Sequence, residues 1–222
     1  ELVDDMGGAA AVLAVMKIIG QIKPKVNVEA VLPCAENMPS GSAYKPGDVI
    51  ETLSGKTIEV INTDAEGRIV LADGVTLAQR RGATRLIDVA TLTGAVIVAL
   101  GTAATGAGTN EQTFMQELLR AAEQAGENIW PFPVYEEYKT MLQSEKADLR
   151  NSCGKEAAAI TAGLFIGAFA EEVPWIHLDI GGSVRLKQAR GVDPAGGTGV
   201  MVRTLAEYVC HFLVDNRAVK YR

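Results

Sequence analysis

The chain predicts an α/β fold in which a central mixed, largely parallel sheet is sandwiched by helices. Three observations carry that expectation. Segments with the 3.6-residue apolar period recur, and each gives way to a short apolar run rich in β-branched residues. Runs such as TRLIDVA and PWIHLDI are apolar almost throughout, as strands covered on both faces are. The 222 residues are enough for one core of packed layers, and no linker or internal repeat divides residues 1–222.

Residues 7–20, rich in Ala and Met and closed by Gly20, read as a helix, and VNVEAVLP at 26–33 reads as a buried strand. Pro39, Gly41, Pro46 and Gly47 mark a long loop. DVIETL and KTIEVI follow as a hairpin turning at Ser54-Gly55. A second helix pattern covers 69–82 and leads to a strand at 84–90, whose C-terminal end delivers Thr91-Leu92-Thr93-Gly94. AVIVALGTAATGAGTN reads as strand material with a turn; lacking the Gly-Lys-Ser/Thr of a phosphate loop, its small residues point to packing. EQTFMQELLRAAEQAG is an amphipathic helix, and NIWPFPV is a short strand ended by prolines. A helix at 156–170, a strand at 174–180, a Gly-rich loop over 181–199 and a helix over 200–214 complete the pattern.

The formal net charge of -6, from 21 basic and 27 acidic residues, leaves no basic stripe for nucleic acid. No apolar run reaches the ~20 residues of a membrane span, and no charged-then-apolar leader opens the chain. Cys34, Cys153 and Cys210 are odd in number and widely spaced, which suits a reducing compartment, the cytoplasm by default. The opening Glu1-Leu2-Val3-Asp4-Asp5 runs almost at once into a helix pattern, so the chain reads as starting inside a domain.

The densest chemistry lies in Asn62-Thr63-Asp64-Ala65-Glu66-Gly67-Arg68. Carboxylates at i and i+2 on an extended backbone can converge on a hard divalent cation, Gly67 permits close approach, and Arg68 adds a fixed positive charge suited to an anion. The plainer alternative is a polar loop whose acids cap the next helix, and the same alternative holds for Asp5, with neighbouring Asp4 in a capping role. With only His177 and His211, the chain offers poor material for a histidine-centred zinc site or a serine-type triad. His177, inside an apolar strand, reads as a core or interface residue, and His211 lies in a helix pattern.

NTDAEGRIVLADG, together with DDMGGAAAVLAVM at 4–16, ENMPSGSAYKPGD at 36–48 and DVATLTGA at 88–95, resembles the catalytic domain of the leucine aminopeptidase family, the two-metal cytosolic leucyl aminopeptidases. The resemblance runs over essentially the whole chain, with the motifs in the family's order. It implies a metal-dependent aminopeptidase that releases N-terminal, preferably apolar, residues from peptides. It further implies that Glu66 bridges two divalent ions, that Asp64 completes one and Asp5 the other, and that Arg68 holds a bicarbonate acting as general base. Zn²⁺ or Mn²⁺ are the first candidates, with Mg²⁺ or Co²⁺ also compatible. Leu2, Thr91, Leu92, Gly94 and Gly181 fall on substrate-binding positions; Gly181 replaces the family's usual Ala in Asp179-Ile180-Gly181-Gly182, which should enlarge the pocket slightly. Glu36 and Asn37 fall where groups behind the metal ligands would stand. The family's homohexamer is carried over as the expected assembly.

The family also places a metal-binding lysine and aspartate and a catalytic lysine upstream of the segment that opens this chain. A catalytically silent fragment or pseudoenzyme serving as an oligomer scaffold is therefore an open alternative. So is a Mg²⁺-dependent phosphoryl-transfer enzyme using Asp64, Glu66 and Arg68, which the missing phosphate loop disfavours.

Overall fold

A computed structural model describes residues 4–212. A 3-10 turn, Asp4–Met6, leads into helix α1 (Gly7–Ile22), which buries Gly8, Ala11, Val15 and Ile19 along one stripe. The helix lies hard against the sheet. A Cβ at residue 8 would stand 2.1 Å from the Val89 carbonyl oxygen, so only glycine allows this approach. Residue Lys23, in the left-handed region, ends the helix and donates its N–H to the Ile19 carbonyl.

The run at 26–33, expected as a buried strand, has no ladder partner among the described residues. It passes beside the sheet with side chains that alternate between half-buried and exposed over 26–30 and stay half-buried over 30–33, and among the described residues no backbone hydrogen bond involves residues 27–38. Its apolar pattern is real, but open space separates it from the sheet edge, so burial is partial.

The expected hairpin forms as β1 (Val49–Glu51) and β2 (Thr57–Glu59), paired antiparallel. Helix α2 (Glu66–Arg80) starts three residues earlier than its apolar pattern, so Glu66 and Arg68 stand in its first turn. Strand β3 (Leu86–Ala90) follows. The next apolar run is not a strand: Gly94–Leu100 is helix α3, because the Thr93 side chain accepts the Val96 N–H and caps it. Strand β4 (Thr105–Thr109), helix α4 (Gln112–Ala125) and strand β5 (Ile129–Pro131) follow as expected, with Glu111 capping α4 and Gly126 closing it.

Two short elements had no sequence signal, helix α5 (Glu136–Thr140) and strand β6 (Leu149–Arg150), the latter pairing parallel with β2. Helix α6 (Ala158–Gly167) and strand β7 (Trp175–Asp179) are slightly shorter than their patterns. Inside the Gly-rich loop, β8 (Arg185–Leu186) and β9 (Gly196–Gly197) pair antiparallel. Helix α7 (Val202–Glu207) is the last described helix and runs into a π turn at Tyr208–Phe212; residues 213 and 214 of the expected helix lie outside the described residues.

The main sheet has the order β3-β7-β4-β5, parallel at β3/β7 and β4/β5 and antiparallel at β7/β4. It is mixed, and helices cover both faces. On one, α1, α4 and α7 bring Val15, Phe114, Met115, Leu118 and Leu205 onto Val89, Ile176 and Leu178. On the other, α2 and α6 bring Val75 and Phe165, and the turn after α6 brings Phe169, onto Trp175. The central strand β7 is buried along its whole length, and its period of two sends Trp175, His177 and Asp179 to the α6 face. Among the described residues no helix is long and apolar enough to cross a membrane.

Candidate active site

Strand β3 ends at Ala90, and the chain then turns through Thr91–Thr93 into α3. At this end of the strand, where open α/β sheets hold ligands, a cleft of about 1360 Å³ runs between β3, α1, α2 and the extended segment at 26–37. Asp5, Asp64, Glu66, Arg68, Thr91, Leu92 and Gly94 all border it. Leu2 lies outside the described residues.

The metal-motif loop is held from behind by a residue that the sequence did not single out. Asn151, fully buried, accepts the N–H groups of Ile61 and Asn62 on its Oδ1 at 2.7 and 3.2 Å. Its Nδ2 donates to the carbonyls of Asn62 and Ala65 at 2.7 and 3.3 Å. The Thr63 carbonyl receives the Asn37 amide and the Tyr44 hydroxyl, each at 3.0 Å, so Asn37 stands behind the loop as the sequence suggested. Burial, then Glu66, then Asp64 raise the Tyr44 pKa, which places the phenol in the negative field of both carboxylates.

Neither acid of the loop caps α2, whose cap residue Ala65 receives no side-chain bond, and α1 likewise starts at Met6 without a side-chain cap. For Asp5 and Asp64 the capping alternative is therefore not what forms, and the Asp4 side chain lies outside the described ones. Asp64 and Asp5 are exposed, whereas Glu66 Oε2 is buried and has no hydrogen-bond partner. A buried carboxylate oxygen without a donor is costly unless a cation completes it. The acids here are the oxygen donors a divalent cation takes. Among the described residues, however, no three His, Cys, Asp or Glu side chains come together as a metal site, so the acids of this chain do not by themselves form one.

Arg68 is tied down through Nη1, which donates to the Asn151 carbonyl at 2.8 Å, while its Nε is buried and unpartnered. Burial pulls the guanidinium pKa below its ordinary value against the opposing fields of Cys153, Asp179 and Glu66. It is charged at any ordinary pH. An unmet buried donor on a fixed cation suits a small oxyanion.

Opposite the metal loop, the Thr91 hydroxyl donates to the Asp5 carbonyl at 3.0 Å and joins the entry of α1 to the strand end. Gly181 stands behind this turn and does not border the cleft. A Cβ there would lie 2.7 Å from the Thr93 carbonyl oxygen and 3.1 Å from Asp179 Oδ1. The missing side chain thus relieves packing behind the turn, and the expected enlargement of the pocket does not follow.

Beneath the site, Asp88 and His177 sit opposite each other on β3 and β7, with His177 Nδ1 2.5 Å from Asp88 Oδ1 and the Trp175 indole N–H on Asp88 Oδ2 at 2.7 Å. His177 is a core residue, as its strand position implied. Burial works to lower its pKa, but the Asp88 carboxylate overrides this and leaves it raised. Asn151, Tyr44, Asp88 and Asp179 were given no role by the sequence, because their partners lie 19 to 90 residues away.

The pattern of the cytosol aminopeptidase family, catalytic domain, matches residues 1–206. A probable cytosol aminopeptidase of Bacillus subtilis is 56% identical over 212 residues, covering 95% of this chain and 42% of that protein. One from Bacillus licheniformis is 57% identical over 209 residues, covering 94% and 42%. Among solved structures, a mutant of tomato leucine aminopeptidase superposes with TM-score 0.88 at 43% identity, covering 93% of this chain and 40% of that one. The bottromycin maturation enzyme BotP gives 0.91 at 40% identity, covering 95% and 47%. The chain therefore spans less than half the length of these relatives. With its fold, its motifs and nearly all its residues matched, the chain belongs to the cytosol aminopeptidase family.

Proposed function

We propose that the protein containing this chain is a metal-dependent aminopeptidase that removes N-terminal residues, preferably apolar ones, from peptides. One observation carries the reading: the buried, unpartnered Glu66 Oε2 borders the same cleft as Asp5, Asp64, Arg68 and the turn after β3. Asp5, Asp64 and Glu66 would hold two divalent ions together with ligands from outside this chain, Glu66 serving both. When bound, such ions lower the pKa of water and polarise a carbonyl. BotP has been solved in complex with Mn, which supports a divalent ion here, Mn²⁺ or Zn²⁺ first.

Arg68 would hold bicarbonate as the base, since its free Nε faces no other acceptor and the histidines are elsewhere. Thr91, Leu92 and Gly94 would present main-chain groups to the substrate, Leu2 would contribute to the pocket, and Gly181 would act from behind the turn. The protein would work in the cytoplasm as a homo-oligomer, a hexamer by family likeness. The test is hydrolysis of leucyl amide by the full-length protein before and after exhaustive chelation. Turnover that returns only with added Mn²⁺ or Zn²⁺ supports the reading, and turnover untouched by chelation overturns it. Full occupancy by metal without any turnover points instead to the silent scaffold.

A further inference from the structure

Asp179 is 1% exposed at the end of β7, and four groups converge on its carboxylate. Its Oδ1 accepts the N–H groups of Leu92 at 3.1 Å, Thr93 at 3.4 Å and Gly181 at 3.1 Å. Its Oδ2 accepts the Thr93 hydroxyl at 2.7 Å, and that hydroxyl in turn accepts the Val96 N–H at 3.1 Å. Two successive backbone N–H groups on one carboxylate form an anion nest, here filled from within the protein. No peptide bond in the described residues is cis. In a planar trans peptide the C=O points opposite to the N–H, so the carbonyls of Thr91 and Leu92 point away from Asp179. Thr91 and Leu92 border the cleft.

We propose that Asp179 is a positioning residue: by holding the Leu92 and Thr93 N–H groups inward, it turns the end of β3 into an edge of carbonyl acceptors that selects substrate N–H donors. The inference rests on the aminopeptidase reading and adds to it the residue that sets the turn's polarity. Without the carboxylate, the two N–H groups lose their partner and the turn is free to rotate them toward the cleft, where they compete with the substrate's own donors. The adjacent imidazole of His177 raises the stakes, because the Asp179 field acts on it too.

The test uses the metal-loaded, full-length enzyme and leucyl amide, with Asp179→Ala, Asp179→Asn and Thr93→Val. Asp179→Ala should raise KM about tenfold with kcat changed by less than about threefold and metal content unchanged. Asp179→Asn, which keeps one carbonyl acceptor, should recover most of that loss, and Thr93→Val should raise KM by about threefold. Amide exchange at Leu92 and Thr93 should quicken at least about tenfold in Asp179→Ala. A merely structural role would lower thermal stability and leave KM where it was; an unchanged KM in Asp179→Ala and Thr93→Val overturns the proposal. If Asp179→Ala does not fold, Asp179→Asn and Thr93→Val decide by the same KM criterion. A parent enzyme without leucyl-amide hydrolysis strikes the aminopeptidase reading, and the exchange rates then decide Asp179 alone: slow in the parent and fast in the variants sustains it, equal rates sink it.

Discussion

Replacing Asn151 by alanine should uncouple the metal loop from the fold. The amide side chain makes four hydrogen bonds to residues 61–65, two of them at 2.7 Å. Ala65 is buried, but as the cap residue of α2 its carbonyl keeps the first intrahelical bond, while the groups on the exposed Ile61 and Asn62 could turn to water. Each lost bond costs ~1 kcal/mol, and four such bonds, less what water returns at residues 61 and 62, put the penalty at about 3 kcal/mol for holding Asp64 and Glu66 in place. Every ~1.4 kcal/mol is tenfold. Residues that orient metal ligands typically cost ~10–100-fold in affinity when removed, and the larger figure fits this count. The bond from Arg68 to the Asn151 main chain survives the substitution, so Arg68 itself should stay put. Asn151→Asp keeps the acceptor and loses both donations, and should fall between parent and alanine. Calorimetric titration of Mn²⁺ into the apo full-length enzyme measures this directly. Binding by Asn151→Ala within about twofold of the parent would refute the reasoning.

Glu66→Ala should cost more metal affinity and turnover than Asp64→Ala, because a ligand shared by two ions cannot be replaced by either one's neighbours; the reverse order in paired titrations would remove the bridging role. Arg68→Ala should lower turnover with metal content intact, and added bicarbonate should stimulate the parent but not the variant; equal stimulation makes Arg68 a structural partner only. The raised pKa of His177 means that the Asp88 pair stabilises the fold fully below the unfolded histidine value, and that this contribution fades as pH rises through the higher folded value. Denaturant unfolding of Asp88→Asn between about pH 5 and about pH 9 should accordingly show its largest deficit at the acid end, and a deficit that grows toward alkaline pH would reverse the assignment. The 222-residue polypeptide by itself should show no leucyl-amide turnover and rapid amide exchange along 27–38, where no backbone bond among the described residues protects the chain; two tightly bound ions with turnover in that polypeptide would falsify the need for ligands from outside this chain.

What the sequence disclosed and what it withheld divide along the range of the interactions. Helix α4 was legible to its ends because its cap Glu111, its apolar stripe and Gly126 all lie within its own segment. The hairpin was legible because Ser54-Gly55 fixes both strands locally. The run AVIVAL misled, since its β-branched residues favour a strand by propensity, yet one hydroxyl at Thr93 caps it into a helix and Asp179 holds that hydroxyl from a strand 86 residues away. The acids of the site were visible as a motif, but Asn151, which shapes their loop, is joined to it across 89 residues at Asn62 and carries no local signature. The run at 26–33 is the sharpest case. Its valines and leucine specify a face that wants burial, and a single sequence reads that as a strand. A ladder, however, also needs a partner's N–H and C=O groups at hydrogen-bonding distance. The edge of β3 is turned toward this segment across the cleft, and neither supplies the other. Pattern fixes what a segment can bury, and tertiary placement fixes what it can pair with, so the cleft of the candidate site is also where the sequence-level expectation of a strand fails.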